Sequence, residues 1–336
     1  PAKFTTPDAL QLNELLQEMV DMGCTHCFME VSSHALVQQR VAGVTFAGAI
    51  FTNISHDHLD FHKTFDAYIE AKKMLFDDLK GEAFALVNID DKRSRIMLQN
   101  TKASKYSFGI KGMADYKGKI LTDSMQGLQM DIDNHEVWFK LVGEFNAYNL
   151  LTVYGTAALL GDDKEQVLAT LSNLEGARGR FELVPNDEGI IAIVDYAHTP
   201  DALENVLKTI GKLRTKNETL VTVVGCGGDR DREKRPKMAE VAAKYSDKVV
   251  LTSDNPRTED PERILQDMLQ GISKSDERKT LKIVDRLEAI KVACHMATKD
   301  DIVLIAGKGH EDYQEINGER FPFDDKETVK SILNQE

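Results

Sequence analysis

No apolar run in this 336-residue chain reaches the roughly 20 residues that span a bilayer, and no signal-peptide pattern opens it. No membrane-spanning helix is expected. Positive charge is also short: 42 Lys and Arg face 55 Asp and Glu, for a formal net charge of −13. Nucleic-acid proteins draw their affinity from neutralising phosphates, so this balance argues against a nucleic-acid partner. A small anionic ligand is not, because it answers to local charge. Cysteine is scarce, at positions 24, 27, 226 and 294. Cys24 and Cys27 form a C-x-x-C, but no second pair completes a zinc site, and the pair runs into Phe28 and Met29. Buried, reduced thiols in a cytoplasmic protein are expected. Short-period repeats and low-complexity tracts are absent. The chain opens on Pro1 rather than Met, already in a Thr-Thr-Pro cap, as expected of a stretch cut from a longer protein.

What is present is the balance of a globular protein, 42% hydrophobic and 29% charged, with length for two domains or three. Thr6-Pro7-Asp8 predicts a capped helix carrying Leu12, Leu15, Leu16 and Met19 on one face and closed by Gly23. Strands follow near 27–31, 47–52 and 83–88, with helices between them, the last near 64–79. Residues 104–143 read as a β-rich insertion, followed by helices near 145–160 and 163–174. After the glycine-rich stretch at 175–182 the alternation restarts. Strands are expected at 190–195, 219–224, 248–252, 281–284 and 301–305, and helices at 200–212, 234–244, 261–270 and 286–297. The fold class is α/β: a mainly parallel sheet with a β-rich insertion in residues 1–182, then a doubly wound, Rossmann-like domain in residues 183–336.

Ligands gather at the carboxyl ends of strands in such sheets. Six polar loops have that placement: "EVSSH" (30–34), "TNISHDHLDFH" (52–62), "DYAHTP" (195–200), "GCGGDRDREKRP" (225–236), "SDNPRTEDP" (253–261) and "GKGHEDY" (307–313). They read as two faces of one cleft. The glycines at 225–228 fail the dinucleotide pattern, because Arg230 stands where its third glycine belongs. Arg230, Arg232, Lys234 and Arg235 read individually as a solvated charge run. Glu30, His56, Asp57, His58, Asp60 and His62 offer oxygen and imidazole ligands suited to magnesium or manganese, or else a hydrogen-bonded loop. In the helix after Thr64, Phe65, Tyr68, Ile69, Leu75, Phe76 and Leu79 form one stripe with Lys72 at its centre and Lys73 to one side. A lysine so placed either snorkels to water or stays neutral and reactive, for instance toward carbon dioxide. Arg257, after Pro256, is either a turn cation or a two-point receptor for a carboxylate. Asn146, Asn149, Arg180, Asp195 and His198 are cap residues, or the frame of a nucleotide between the domains.

These loops, with "YIEAKKMLF", "GEFNAYNLL" and "GARGRFE", occur in the order found in the Mur ligases of bacterial peptidoglycan synthesis, which the chain resembles along essentially its whole length. The resemblance is to the branch that adds the third peptide residue. It implies an ATP-dependent ligase with magnesium, acting on UDP-N-acetylmuramoyl-L-alanyl-D-glutamate and meso-diaminopimelate as a cytoplasmic monomer. Lys72 would be carbamylated, with Glu30 and His58 as further magnesium ligands. Thr5, Thr6, Ser32, Gln38 and Arg40 would hold the muramoyl dipeptide. Asn146, Asn149, Arg180 and Asp195 would surround ATP, with Asp195 and His198 among the catalytic groups. Arg230, Asp254, Asn255, Pro256, Arg257, Gly307 and Glu311 would hold diaminopimelate, Arg257 taking its far carboxylate. The family's Gly-x-x-Gly-Lys-Thr phosphate loop has no counterpart in the sequence, so the 336 residues alone are expected to be inactive. Phe4 stands where the family often has asparagine. The competing expectations are a ligase like folylpolyglutamate synthetase, against which "EVSSH" and Asp-Asn-Pro-Arg argue, and a non-catalytic binding module.

Overall fold

A computed structural model describes residues 5–54, 59–215 and 217–334, except for the side chains of residues 59 and 60. It divides into two compact units. The first comprises residues 1–122, 128–139 and 144–173, and the second residues 123–127, 140–143 and 174–336.

In the first unit, α1 (Ala9–Asp21) starts at Asp8, whose carboxylate accepts from the amides of Leu10 and Gln11. The cap is thus Asp8 rather than Thr6, whose hydroxyl donates to the Glu30 carbonyl instead. The chain continues through α2 (Ser33–Val37), β1 (Gly48–Phe51), α3 (Leu59–His62), α4 (Phe65–Asp77), β2 (Phe84–Asn88), α5 (Ser94–Met97) and β3 (Ser104–Gly109). Then come β4 (Tyr116–Ser124), β5 (Gly127–Ile132), β6 (His135–Phe139), α6 (Glu144–Leu160) and α7 (Lys164–Asn173). The sheet runs β1-β2-β3-β4-β5-β6, parallel from β1 to β4, with β5 and β6 antiparallel. Its first strands read as continuous apolar runs because helices cover them: Phe51, Ala85 and Val87 pack against Ile69 and Phe76 of α4 and Met97 of α5. The expected strand at 27–31 is irregular chain. A strand needs a neighbour for its amides and carbonyls, and among the described residues β1 pairs only with β2.

The second unit contains β7 (Glu182–Val184), β8 (Ile191–Asp195), α8 (Pro200–Leu213), β9 (Leu220–Cys226), α9 (Lys234–Tyr245), β10 (Lys248–Ser253) and α10 (Pro261–Leu269). Next are β11 (Thr280–Lys282), α11 (Arg286–His295), β12 (Ile302–Ala306), β13 (Tyr313–Ile316), β14 (Glu319–Pro322) and α12 (Asp325–Leu333). The sheet order is β11-β10-β9-β12-β8-β7, parallel except for β7. Leu203, Leu207, Met238, Ala242, Leu265 and Met268 bury α8, α9 and α10 on one face. Ala289, Ile290, Ala293, Val329 and Leu333 bury α11 and α12 on the other. β12 returns between β8 and β9, so the chain leaves their carboxyl ends in diverging directions and opens a crevice there.

Candidate functional site

At the end of β10 the chain turns through Asp254, Asn255, Pro256 and Arg257. Arg257 sits in the left-handed region (φ 52°), which costs a residue with a side chain unless its surroundings hold it. They do: its amide donates to the Glu315 carbonyl (3.0 Å) and its carbonyl accepts from Asn317 (2.7 Å). Gly228 is pressed against the same turn, and a Cβ there would lie 1.9 Å from the Pro256 carbonyl oxygen. The Arg257 guanidinium is mostly buried. Nη1 donates to the Gly228 carbonyl at 2.8 Å, and Nε stands 3.6 Å from a carboxylate oxygen of Glu315. Arg230 is exposed and reaches toward the same place: a Cβ on Gly227 would meet Arg257 Nη1 at 2.8 Å and Arg230 Cγ at 3.8 Å.

The loop after β12 closes on this turn. Lys308 is fully buried and donates to Asn255 Oδ1 (3.2 Å) and Glu311 Oε2 (3.1 Å), while Asn255 Nδ2 donates to the same Glu311 oxygen (2.7 Å). A buried ammonium paired with an acid through a shared amide is a rigid unit, because every lost bond would strand a charge. Gly307 is left-handed (φ 120°), and a Cβ on it would stand 2.7 Å from Asp254 Oδ2, so only glycine lets the two loops meet. Behind them, fully buried Arg286 donates to both Asp325 oxygens and to the Ser253 and Ala306 carbonyls, tying the ends of β10 and β12 together.

Asp195 ends β8. Its carboxylate accepts from the amides of Phe181 and Ala197, both at 2.7 Å. Burial pushes its pKa above the usual carboxylate value despite those donors. The Arg180 guanidinium lies 4.7 Å from the Tyr196 ring centroid, and that ring also neighbours His198 and His310. His198 Nδ1 lies 2.9 Å from the Tyr196 carbonyl oxygen. Of the basic run, Arg235 is not solvated: it is fully buried, with three bonds to Glu259 and Asp267 besides one from Arg232 to Glu259. Sequence reasoning did not single out Lys308, Arg286 or Glu315. A lysine flanked by glycines just after a buried strand was the available signal for the first.

In the first unit, Thr6, Ser32, Gln38 and Arg40 are brought together. The Ser32 amide donates to Thr6 Oγ1 (3.2 Å), Arg40 Nη1 donates to the Thr6 carbonyl (3.1 Å), and Arg40 Nε donates to Gln38 Oε1 (2.9 Å). Thr5 adjoins them, exposed. Asn149 donates to Asn146 on α6 (3.1 Å). The reading of α4 needs correction: Lys73, not Lys72, is the inward lysine. Lys73 is 3% exposed and bonded to both oxygens of Asp77, whereas Lys72 is half-buried with its amine 5.4 Å from the Tyr68 ring centroid. The helix buries its Ile69–Phe76 side on the sheet, which turns the predicted stripe toward Lys73.

His62 is buried, with Nε2 2.8 Å from Ser33 Oγ. His56, Asp57 and His58 lie outside the described residues, as does the Asp60 side chain. Glu30 is exposed, and among the described residues no three His, Cys, Asp or Glu side chains form a metal cluster. By donor chemistry, the carboxylate of Glu30 is an oxygen ligand that suits a hard divalent cation. Cys24 and Cys27 are exposed, contrary to expectation, while Cys226 and Cys294 are buried and their thiols pushed up to about 12 by burial. Among the described residues no helix is long and apolar enough to cross a membrane.

Residues 1–157 match the Mur ligase middle domain, and residues 179–309 match the Mur ligase glutamate ligase domain. The chain is 59% identical over 333 residues to a UDP-N-acetylmuramoyl-L-alanyl-D-glutamate–2,6-diaminopimelate ligase of Cytophaga hutchinsonii, covering 99% of this chain and 68% of that protein. It is 51% identical over 334 residues to the ligase of the same name from Bacteroides thetaiotaomicron, covering 99% and 69%. A solved ligase structure of that name superposes with a TM-score of 0.67 at 42% identity, over 97% of this chain and 68% of the other. A folylpolyglutamate synthase structure from Thermotoga maritima reaches a TM-score of 0.60 at 16% identity, over 78% and 57%, which is a likeness of fold alone.

Proposed function

The chain belongs to the Mur ligase family, and from that premise we propose that it is an ATP-dependent amide ligase joining meso-diaminopimelate to UDP-N-acetylmuramoyl-L-alanyl-D-glutamate. One observation carries the choice of amino acid. At the ends of β10 and β12, a left-handed, mostly buried arginine, Arg257, shares the loop cluster with Glu311, an acid held by buried Lys308 and Asn255. Diaminopimelate differs from lysine by a second carboxylate. Arg257 offers that group a guanidinium, Glu311 offers an ammonium group an acceptor, and exposed Arg230 serves a further carboxylate.

The reaction proceeds in two steps. An oxygen of the terminal D-glutamate carboxylate attacks the γ-phosphorus of ATP, the bond to ADP breaks, and an acyl phosphate forms. The diaminopimelate amine then attacks the acyl carbon, loses its proton, and expels phosphate from a tetrahedral intermediate. The protein's part is to position two anions and an amine. Thr5, Thr6, Ser32, Gln38 and Arg40 hold the dipeptide, and Asn146, Asn149, Arg180, Asp195 and His198 flank the nucleotide. Glu30, His58 and a carbamate on Lys72 would hold magnesium, which supplies charge neutralisation at the phosphoryl group. We read the protein as a cytoplasmic monomer.

Because the sequence holds no Gly-x-x-Gly-Lys-Thr stretch, binding is a better readout than turnover. In calorimetric titration the chain is expected to bind meso-diaminopimelate at least about tenfold more tightly than lysine, and Arg257→Ala to abolish that preference. Equal affinity for the two amino acids before substitution would sink the assignment.

A further inference from the structure

Arg257 already has an acid beside it. Glu315, on β13, is fixed at both ends of its backbone: its amide donates to Asn255 Oδ1 (2.9 Å) and its carbonyl accepts from the Arg257 amide (3.0 Å). This anchoring aims its side chain at the guanidinium. With Nη1 committed to the Gly228 carbonyl, the remaining two-point edge of the fork is Nε with Nη2, and Glu315 Oε2 stands 3.6 Å from Nε. That distance makes an ion pair but not a hydrogen bond. Glu315 therefore neutralises Arg257 without engaging it fully. It is also distinct from Glu311, whose Oε2 is held by Lys308 and Asn255.

We propose that Glu315 is the resident counter-ion of Arg257, displaced by the distal carboxylate of the incoming amino acid, and that it tempers the affinity of the site for amino acids carrying that group. The inference deepens the reading above and rests on it. A ligand with a distal carboxylate exchanges a loose ion pair for a two-point hydrogen-bonded one. An amino acid without that group, such as lysine, gains nothing by displacing Glu315. The acid thus competes only with ligands that carry a distal carboxylate and leaves the others untouched.

The test is calorimetric titration of the 336-residue chain and of Glu315→Gln, Arg257→Ala and the double variant. The ligands are meso-diaminopimelate, an analogue keeping both carboxylates but lacking the distal amine, and lysine. Glu315→Gln is expected to bind both dicarboxylic ligands roughly two- to fivefold more tightly. That gain should shrink at high salt, vanish in the double variant, and leave lysine unchanged. Glu315 is a quarter exposed, and Glu315→Gln is expected to melt like the unsubstituted chain. Unchanged affinities overturn the proposal. So does weakening for diaminopimelate but not for the analogue, which would make Glu315 an acceptor for the distal ammonium. If the unsubstituted chain binds no diaminopimelate, or Arg257→Ala binds it equally well, the amino-acid site itself falls, and this inference with it.

Discussion

Arg235 ends a run of seven charged residues that starts at Asp229, and by composition it belongs to a solvated face. Its partners decide otherwise. Glu259 and Asp267 lie 24 and 32 residues further on, beyond the reach of any local pattern, and they hold a guanidinium with no exposed surface. Replacing Arg235 by methionine leaves two acids without their cation. Because both acids keep some access to water, the cost is expected at about 2–3 kcal/mol rather than the full penalty of a buried pair. Arg235→Lys should recover only part, since an ammonium cannot serve both acids in fork geometry. Urea denaturation measures both. The same bonds give a pH dependence. Hydrogen bonds from Arg235 lower the Glu259 pKa from 4.5 to about 2. A depressed acid contributes stability that is complete above its unfolded pKa and lost as pH falls through the folded one, here between about 4.5 and 2. Arg235→Met is expected to flatten that part of the acid limb of the stability curve. An acid limb of unchanged slope would refute the assignment.

On α4, periodicity located the helix and its apolar side but misjudged its rotation, since Lys72 and Lys73 differ by one residue and the sheet beneath chooses between them. Lys73 faces inward against Asp77 and Lys72 lies across Tyr68. Lys73→Ala should therefore cost about 1–3 kcal/mol in urea denaturation, having stranded Asp77 beside a cavity, and Lys72→Ala less than about 1. A carbamate on Lys72 predicts a carbonyl carbon signal after labelling with carbon-13 bicarbonate, lost in Lys72→Ala and kept in Lys73→Ala. The reverse pattern would transfer the role to Lys73. The strand expected at 27–31 failed for a different reason: a short segment with four apolar residues favours a strand only where a ladder awaits it. The hairpin of β13 and β14 was legible and overlooked. Asn317-Gly318, with φ of 51° and 80°, is the two-residue turn that joins twisted strands. Glu315 owes its place to that turn.

At the scale of the molecule, the strand-helix alternation after residue 182 made the second unit legible nearly element by element, because strands buried on both faces read as unbroken apolar runs. What the alternation could not supply was the return of β12 between β8 and β9, which is a matter of pairing over more than 75 residues and not of local pattern. That return brings "SDNPRTEDP" and "GKGHEDY" together, and every residue assigned to diaminopimelate lies in this unit. The amino-acid site should then survive without the first unit. A polypeptide of residues 174–336 omits only 123–127 and 140–143 of its own unit, and with them the buried side chains of Met125 and Val142. Their loss removes about 3–6 kcal/mol at most, at about 1.5–3 kcal/mol per buried apolar side chain. A domain of this size is commonly stable by 5–15 kcal/mol, so the shortened chain is expected to unfold cooperatively, at lower urea than the longer one. It should bind meso-diaminopimelate within about threefold of the 336-residue chain and keep its preference over lysine. A folded 174–336 polypeptide that has lost this binding would mean that residues of the first unit complete the amino-acid site, and that Arg257 and Glu311 do not suffice to hold the substrate.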